Sequence, residues 1–344
     1  MQKIRVYHSA DKGLTWTNPS LIPVADTNHR SFDHPSLAVD ISTNKIYVLA
    51  SHVVLSPATN ETGNRARFTI AISSSEDNGR TFSIPLVLSP SNLKYQAANV
   101  VVLPGYKAVF SFFDFASPDW NSLLGVRTLW SVSSDGNTIS RPSFVVQYSD
   151  FRNLTHLAVD ISGKEFNNRI YSVFANYGGK IEPYNQDDNE AEILWPNRGI
   201  YLANSLDSGK TWSVPQIIEK SGNMFSARYC NVAVNNQGTV AVAWMEAEDS
   251  TKKCFVPYMV VSKDGGKNFS NKIKVSDKVK CMIPDKEANT MGKVNAASRF
   301  QIGGDYFGLS GGPDDSFYMS WSEPELKTGR LQLWLTKLTV EKEK

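Results

Sequence analysis

The stretch Ser9-Ala-Asp11-Lys-Gly13-Leu-Thr15-Trp16 decides how the chain is read, because it returns. Ser75-Glu-Asp77-Asn-Gly79-Arg-Thr81-Phe82 and Ser205-Leu-Asp207-Ser-Gly209-Lys-Thr211-Trp212 match the pattern Ser-x-Asp-x-Gly-x-Thr-Trp/Phe at every specified position. Ser262-Lys-Asp264-Gly-Gly266-Lys-Asn268-Phe269 loses only the Thr, and a degenerate copy surrounds Ser133-Ser-Asp135-Gly136-Asn137. Such a pattern makes a hairpin turn. The aspartate folds its carboxylate onto backbone N–H groups, the glycine takes a positive φ that other residues resist, and the aromatic residue is expected to pack under the next strand.

Working outward, each turn is preceded by a short β-rich run, at 68–73, 127–132, 199–203 and 256–261, and followed by another such as 84–88 or 214–218. A second repeated element supplies two more strands per unit. His34-Pro-Ser-Leu-Ala-Val-Asp40 leads to Lys45-Ile-Tyr-Val-Leu49, and Thr155-His-Leu-Ala-Val-Asp160 leads to Arg169-Ile-Tyr-Ser-Val173. The same apolar layout recurs at 99–112, 230–244 and 305–321, and a closing strand at 331–338 carries no turn motif. Four strands per unit at a period of roughly 57 residues is the signature of a propeller blade. The fold class expected is therefore all-β: a β-propeller of four-stranded antiparallel blades, six by this count, occupying residues 1–344 as one domain. The chain opens inside a blade, so the first blade is expected to be partial or closed with the C-terminal strands, its inner strands lying upstream of Met1.

Composition removes several function classes. Lys and Arg total 36 against 34 for Asp and Glu, a formal net charge of +2, which leaves no global field for nucleic acid or an anionic membrane. The longest apolar runs, 99–103 and 108–113, are strand-sized and far short of the roughly 20 residues that span a bilayer. Three sequons, at Asn60, Asn153 and Asn268, lend weak support to export. Of three cysteines, Cys254 and Cys281 could bridge one repeat while Cys230 sits in an apolar run; three free thiols is the alternative. A secreted or cell-surface monomer is expected, although the chain shows no signal sequence.

The four clean turns resemble the Asp-box (BNR) repeats of the sialidase/neuraminidase superfamily, at blade spacing over nearly the whole chain. The resemblance implies that the boxes lie at the blade periphery and carry no chemistry, and that function sits where the innermost strands begin. It also implies a site in which three arginines clamp a substrate carboxylate, a tyrosine nucleophile pairs with a glutamate, and an aspartate serves as acid/base. A guanidinium binds a carboxylate bidentately, and a phenol can attack an anomeric centre where an anionic nucleophile would be repelled.

Carried over residue by residue, the strand starts offer Asp33 and His34, Asn99, His156, Arg228 and Asn231, then Arg299, Asp305 and Tyr306, with Glu246 just after the strand ending at Trp244. Asp33, Tyr306 and Glu246 are the catalytic candidates; Arg228, Arg299, His34, Asn99, His156, Asn231 and Asp305 are the substrate-binding ones. The Phe-Arg-Ile-Pro type motif that supplies the family's first arginine is absent. For Arg228 and Arg299 the competing reading is a bridge between adjacent blades, and for Tyr306 it is packing beside Gly303 and Gly304. His34 and His156 with Asp33 have the donor types for Zn, but stand at adjacent rather than identical positions, so no metal or cofactor is assigned; a structural calcium ion is compatible. The insertion 177–197, rich in acidic residues with Tyr184 and Trp195, and the aromatic and acidic loop of Phe112-Phe113-Asp114-Phe115 with Asp119 and Trp120 are candidate rim contacts. The expected partner is a glycan or glycoconjugate, met by an exo-sialidase-like glycoside hydrolase or a degenerate glycan-binding relative; the alternative is a non-catalytic extracellular scaffold.

Overall fold

A computed structural model describes residues 3–24, 29–55, 66–88, 95–105, 107–115, 126–134, 138–150, 155–178, 180–181, 193–194, 196–221, 227–247, 254–276, 280–281, 307–324 and 331–341. All regular structure among them is β, and all pairing is antiparallel. A short hairpin, β1 (Arg5–Val6) with β2 (Ser20–Leu21), flanks the first Asp-box. The first full sheet runs β3 (His29–Val39), β4 (Ile46–Leu55), β5 (Ala66–Ser75), β6 (Leu86–Leu88). The second is β7 (Tyr95–Leu103), β8 (Lys107–Phe115), β9 (Val126–Ser134), β10 (Ser143–Asp150).

The third sheet is built from β11 (His156–Val159) and β12 (Ile170–Tyr177), then β15 (Asn197–Ser205) and β16 (Gln216–Lys220). Between β12 and β15 a small hairpin, β13 (Lys180–Ile181) with β14 (Ile193–Leu194), occupies the insertion foreseen from the sequence. The fourth sheet is β17 (Ala227–Val234), β18 (Val240–Ala247), β19 (Cys254–Ser262), β20 (Ile273–Lys274), with β21 (Lys280–Cys281) also pairing β19. The fifth has three strands: β22 (Phe307–Gly311), β23 (Ser316–Pro324), β24 (Leu331–Thr339).

These elements divide into two compact units. One comprises 1–148, 185–191 and 205–212, the other 149–184, 192–204 and 213–344. In the first, Tyr47, Leu49 and Ile70 of the first sheet pack against Val100, Val102 and Phe110 of the second, and Ile22, Val48 and Phe82 form a smaller core beside the β1–β2 hairpin. In the second, Tyr171, Val173 and Leu202 meet Val232, Val242 and Trp244, while Met245, Phe255 and Met259 meet Phe317, Met319 and Trp321. Each core thus lies between the faces of consecutive sheets. Side chains of this size contribute about 1.5–3 kcal/mol each on full burial, which is what glues otherwise thin sheets together.

The Asp-box turns are built more elaborately than the motif alone implies. In the first box Thr15 donates both its N–H and its hydroxyl to the two carboxylate oxygens of Asp11, at 2.8 and 2.6 Å, while the Gly13 N–H donates to the Ser9 hydroxyl at 2.7 Å. The boxes at Asp77 and Asp207 repeat this geometry, and at Asp264 the amide of Asn268 replaces the threonine hydroxyl at 2.8 Å. Two successive residues are left-handed: Lys12 and Gly13, Asn78 and Gly79, Ser208 and Gly209, Gly265 and Gly266. The aromatic residue varies. Phe82 is buried as expected, whereas Trp16 is 61% exposed and caps its own turn by donating to the Gly13 carbonyl.

Turn carbonyls also accept hydrogen bonds from the sheet beside them. Ser20 donates to the Arg80 carbonyl and Ser131 to that of Gly209; Arg169 donates to Gly265 and Gln216 to Lys267. The boxes therefore brace sheet against sheet within each unit.

Candidate functional site

The first strands of three sheets do not enter them smoothly. The ladder of β3 with β4 breaks between Asp33 and Ser36, that of β7 with β8 between Ala97 and Asn99, and that of β17 with β18 between Arg228 and Asn231. Two of these bulges hold non-glycine residues in the left-handed region, His34 at φ 47° and Tyr229 at φ 53°. Such backbone costs of order 1–3 kcal/mol and persists only where the surroundings impose it, and bulges of this kind re-aim side chains beside binding sites. The sequence candidates Asp33, His34, Asn99, Arg228 and Asn231 all lie at these breaks.

Asp33 presents an open carboxylate, its side chain 62% exposed, with one oxygen 2.9 Å from the His34 N–H and the other 3.5 Å from the His34 ring Nε2. Asn99 and Asn231 are bound inward instead. Asn99 donates its amide to the Ser36 hydroxyl at 3.4 Å, and Asn231 donates to the Phe307 carbonyl at 2.9 Å while accepting from the Val232 N–H. Each links the first strands of two consecutive sheets. His156, at the register position that Ser36 and Asn231 hold in their strands, is half-buried, and desolvation lowers its pKa to about 4, so it is neutral at ordinary pH.

Arg228 lies opposite Met245, and Glu246 opposite Ala227, so these two candidates stand on adjacent strands one register step apart. Glu246 accepts from the Trp244 indole at 3.1 Å and from Lys272 at 2.9 Å on both oxygens; Lys272 also reaches Glu219 at 3.1 Å and lies 5.0 Å from the Tyr258 ring centre. Burial works against the lysine's charge, but the hydrogen bonds it donates to Glu246 and Glu219 outweigh it and raise its pKa. Arg299, Asp305 and Tyr306 lie outside the described residues, as do Tyr184, Trp195, Asp119 and Trp120.

Other side chains stand at the strand ends, and of these the sequence marks only Tyr177, as the start of the insertion, and Asp114. At the exit of β12, Asn176 (φ 49°) is buried, accepts from the Gly199 N–H at 2.9 Å, and leaves its Nδ2 without a partner among the described residues. Beside it Tyr177 and Tyr201 meet edge-on at 4.8 Å, and Phe174 stacks on Tyr201 at 6.4 Å. In the second sheet Tyr95 stands opposite Asp114, which accepts from the Trp130 indole at 2.9 Å; burial first, then the Asp114 charge, raises the Tyr95 pKa. A tyrosine set opposite an acid across a ladder gives no signal in the sequence until the register is known.

Among the described residues no group of three or more His, Cys, Asp or Glu side chains gathers to hold a metal ion, and no helix is long and apolar enough to cross a membrane.

Neither a protein-family model nor a curated protein sequence matches the chain. Solved structures do. The intramolecular trans-sialidase of Ruminococcus gnavus, determined with oseltamivir carboxylate, is similar over 97% of this chain and 87% of its own, with a TM-score of 0.54 at 10% identity. The NanB sialidase of Streptococcus pneumoniae matches 98% of this chain and 63% of its own at 0.51 and 12% identity. The leech intramolecular trans-sialidase matches 97% and 62% at 0.50 and 10% identity. The chain thus spans less than two thirds of the latter two. At these identities the likeness is one of fold: an all-β chain of antiparallel sheets, several of them four-stranded, that resembles sialidase structures.

Proposed function

We propose that this chain is an exported, six-bladed propeller that recognises glycans at the starts of its innermost strands, either as an exo-sialidase-type glycoside hydrolase or as a relative that binds without cleaving. Five sheets and the β1–β2 hairpin support the blade count. The observation that carries the functional reading is the pair of left-handed breaks at His34 and Tyr229, which fall beside Asp33 and Arg228 in a chain with a sialidase fold. In this reading Arg228 and Arg299 hold a substrate carboxylate and Tyr306 is the nucleophile with Glu246 as its partner. Asp33 serves as acid/base, and His34, Asn99, His156, Asn231 and Asp305 line the site. No cofactor is required by that chemistry.

A specific observation favours the second, non-catalytic reading: Glu246 is committed to Lys272 and Asn231 to Phe307, which leaves fewer free groups for chemistry. Incubation with fluorogenic sialosides at mildly acidic pH separates the two. Turnover that disappears in Tyr306→Phe and in Arg228→Ala supports the hydrolase; silence of the unaltered protein removes it and leaves the binding or scaffold reading.

A further inference from the structure

The three cysteines occupy different surroundings. Cys230 lies buried in the core between the third and fourth sheets. Cys254 opens β19, and the two-residue strand β21 pairs there so that Cys254 stands opposite Cys281 and Phe255 opposite Lys280. Residues directly opposite in an antiparallel ladder have Cα atoms about 4.5 or 5.5 Å apart, depending on the type of site. A disulfide accepts Cα separations of about 4.4–6.8 Å, so either type of site suits one. A ladder of two residues is weak by itself, unlike the long pairing of β19 with β18 on its other side. From this register we infer that Cys254 and Cys281 form a cross-strand disulfide that fastens β21 to the edge of β19, fixing where the chain leaves the fourth sheet before the segment bearing Arg299, Asp305 and Tyr306.

Forming the bond requires an oxidant, here a small-molecule or protein disulfide. One cysteine thiolate attacks a sulfur of that disulfide and expels one thiolate; the second cysteine thiolate then attacks the mixed disulfide and expels the other. The two protons given up by the cysteines end on the two released thiols, so two thiols are oxidised and one disulfide is reduced. The bond lasts in an oxidising compartment, in keeping with the export proposed above. Its existence rests on the register alone; its bearing on Arg299, Asp305 and Tyr306 rests on the glycan-site reading.

The test is to equilibrate the full chain in a buffer of reduced and oxidised glutathione at the poise of a secretory compartment, alkylate it under denaturing conditions, and map the peptides by mass spectrometry without reduction. The expected result is a Cys254 peptide joined to a Cys281 peptide, a mass about 2 Da below the two thiols, with Cys230 alkylated. Alkylation of both Cys254 and Cys281, or a bond from either to Cys230, overturns the proposal. In Cys281→Ser the Cys254 peptide should be recovered only alkylated or as a mixed disulfide with glutathione; loss of that thiol to Cys230 instead would equally count against it. No substrate enters the mapping, so a protein that carries the bond but ignores sialosides refutes only the glycan reading.

Discussion

Asn231 donates its side-chain amide to the Phe307 carbonyl across 2.9 Å, stitching the first strand of the fourth sheet to the first strand of the fifth. The donor is buried, so its removal leaves a carbonyl without that partner in a place water does not readily reach. Asn231→Ala is expected to lower stability by about 1–3 kcal/mol, read as a shift of the urea midpoint, with Asn231→Asp at least as costly because its carboxylate cannot donate. An unchanged midpoint would show that the bridge contributes nothing.

The glycines of two Asp-boxes should respond differently to the same change. Gly13 and Gly209 both have positive φ, 90° and 81°, but a Cβ at Gly13 meets nothing nearer than Trp16 at 3.8 Å, whereas at Gly209 it would stand 2.8 Å from Val109. Gly13→Ala should cost about 1–2 kcal/mol from backbone strain alone, and Gly209→Ala should cost more because Val109 must also move. Equal thermal shifts for the two variants would contradict the close approach of Gly209 to Val109.

Acid should act on the protein in two windows. His156 is lowered by burial to about 4, below its ordinary value, so the unfolded chain takes up more protons than the folded one between about pH 6.5 and 4 and stability falls as pH drops through that range. His156→Gln should flatten the slope there. The box carboxylates Asp11 and Asp77, held near 2 by their threonine partners, and Asp264, held there chiefly by the Asn268 N–H, contribute above the ordinary aspartate range, and that contribution is lost as pH falls toward 2. Urea midpoints measured from pH 7 to 2 on the parent and the His156→Gln variant read both windows.

The Lys272 pair offers a check on Glu246. Both side chains are partly exposed, so a double-mutant cycle of Glu246→Gln and Lys272→Met should return a coupling of about 0.2–1 kcal/mol that weakens with salt. Because the lysine pKa is raised, this coupling is in place at neutral pH and is lost only as pH rises past the ordinary lysine range. A coupling of zero at low salt would free Glu246 for the partner role assigned to it.

Much of the fold was legible because the box residues and the apolar, β-rich runs act locally: Asp77 and Thr81 make their turn from eight consecutive residues, and the runs on either side form β5 and β6. The left-handed residue that precedes the glycine in the first and third boxes, Lys12 and Ser208, was not legible, since the side chain gives no sign of its φ. The same is true of the bulges. Pro35 follows His34, yet no rule of composition marks Tyr229 as left-handed. Lys272 escaped notice because its meeting with Glu246 and Glu219 depends on the third and fourth sheets coming side by side, and Tyr95 with Asp114 depends on a register that the sequence leaves open.

The most direct test of the glycan reading needs no turnover. Saturation-transfer difference NMR of the full chain with sialyllactose, run beside Arg228→Ala, should give transfer to the sialyl protons in the unaltered protein and loss of it in the variant. No transfer in the unaltered protein, or equal transfer in both, would contradict a carboxylate clamp at the start of β17.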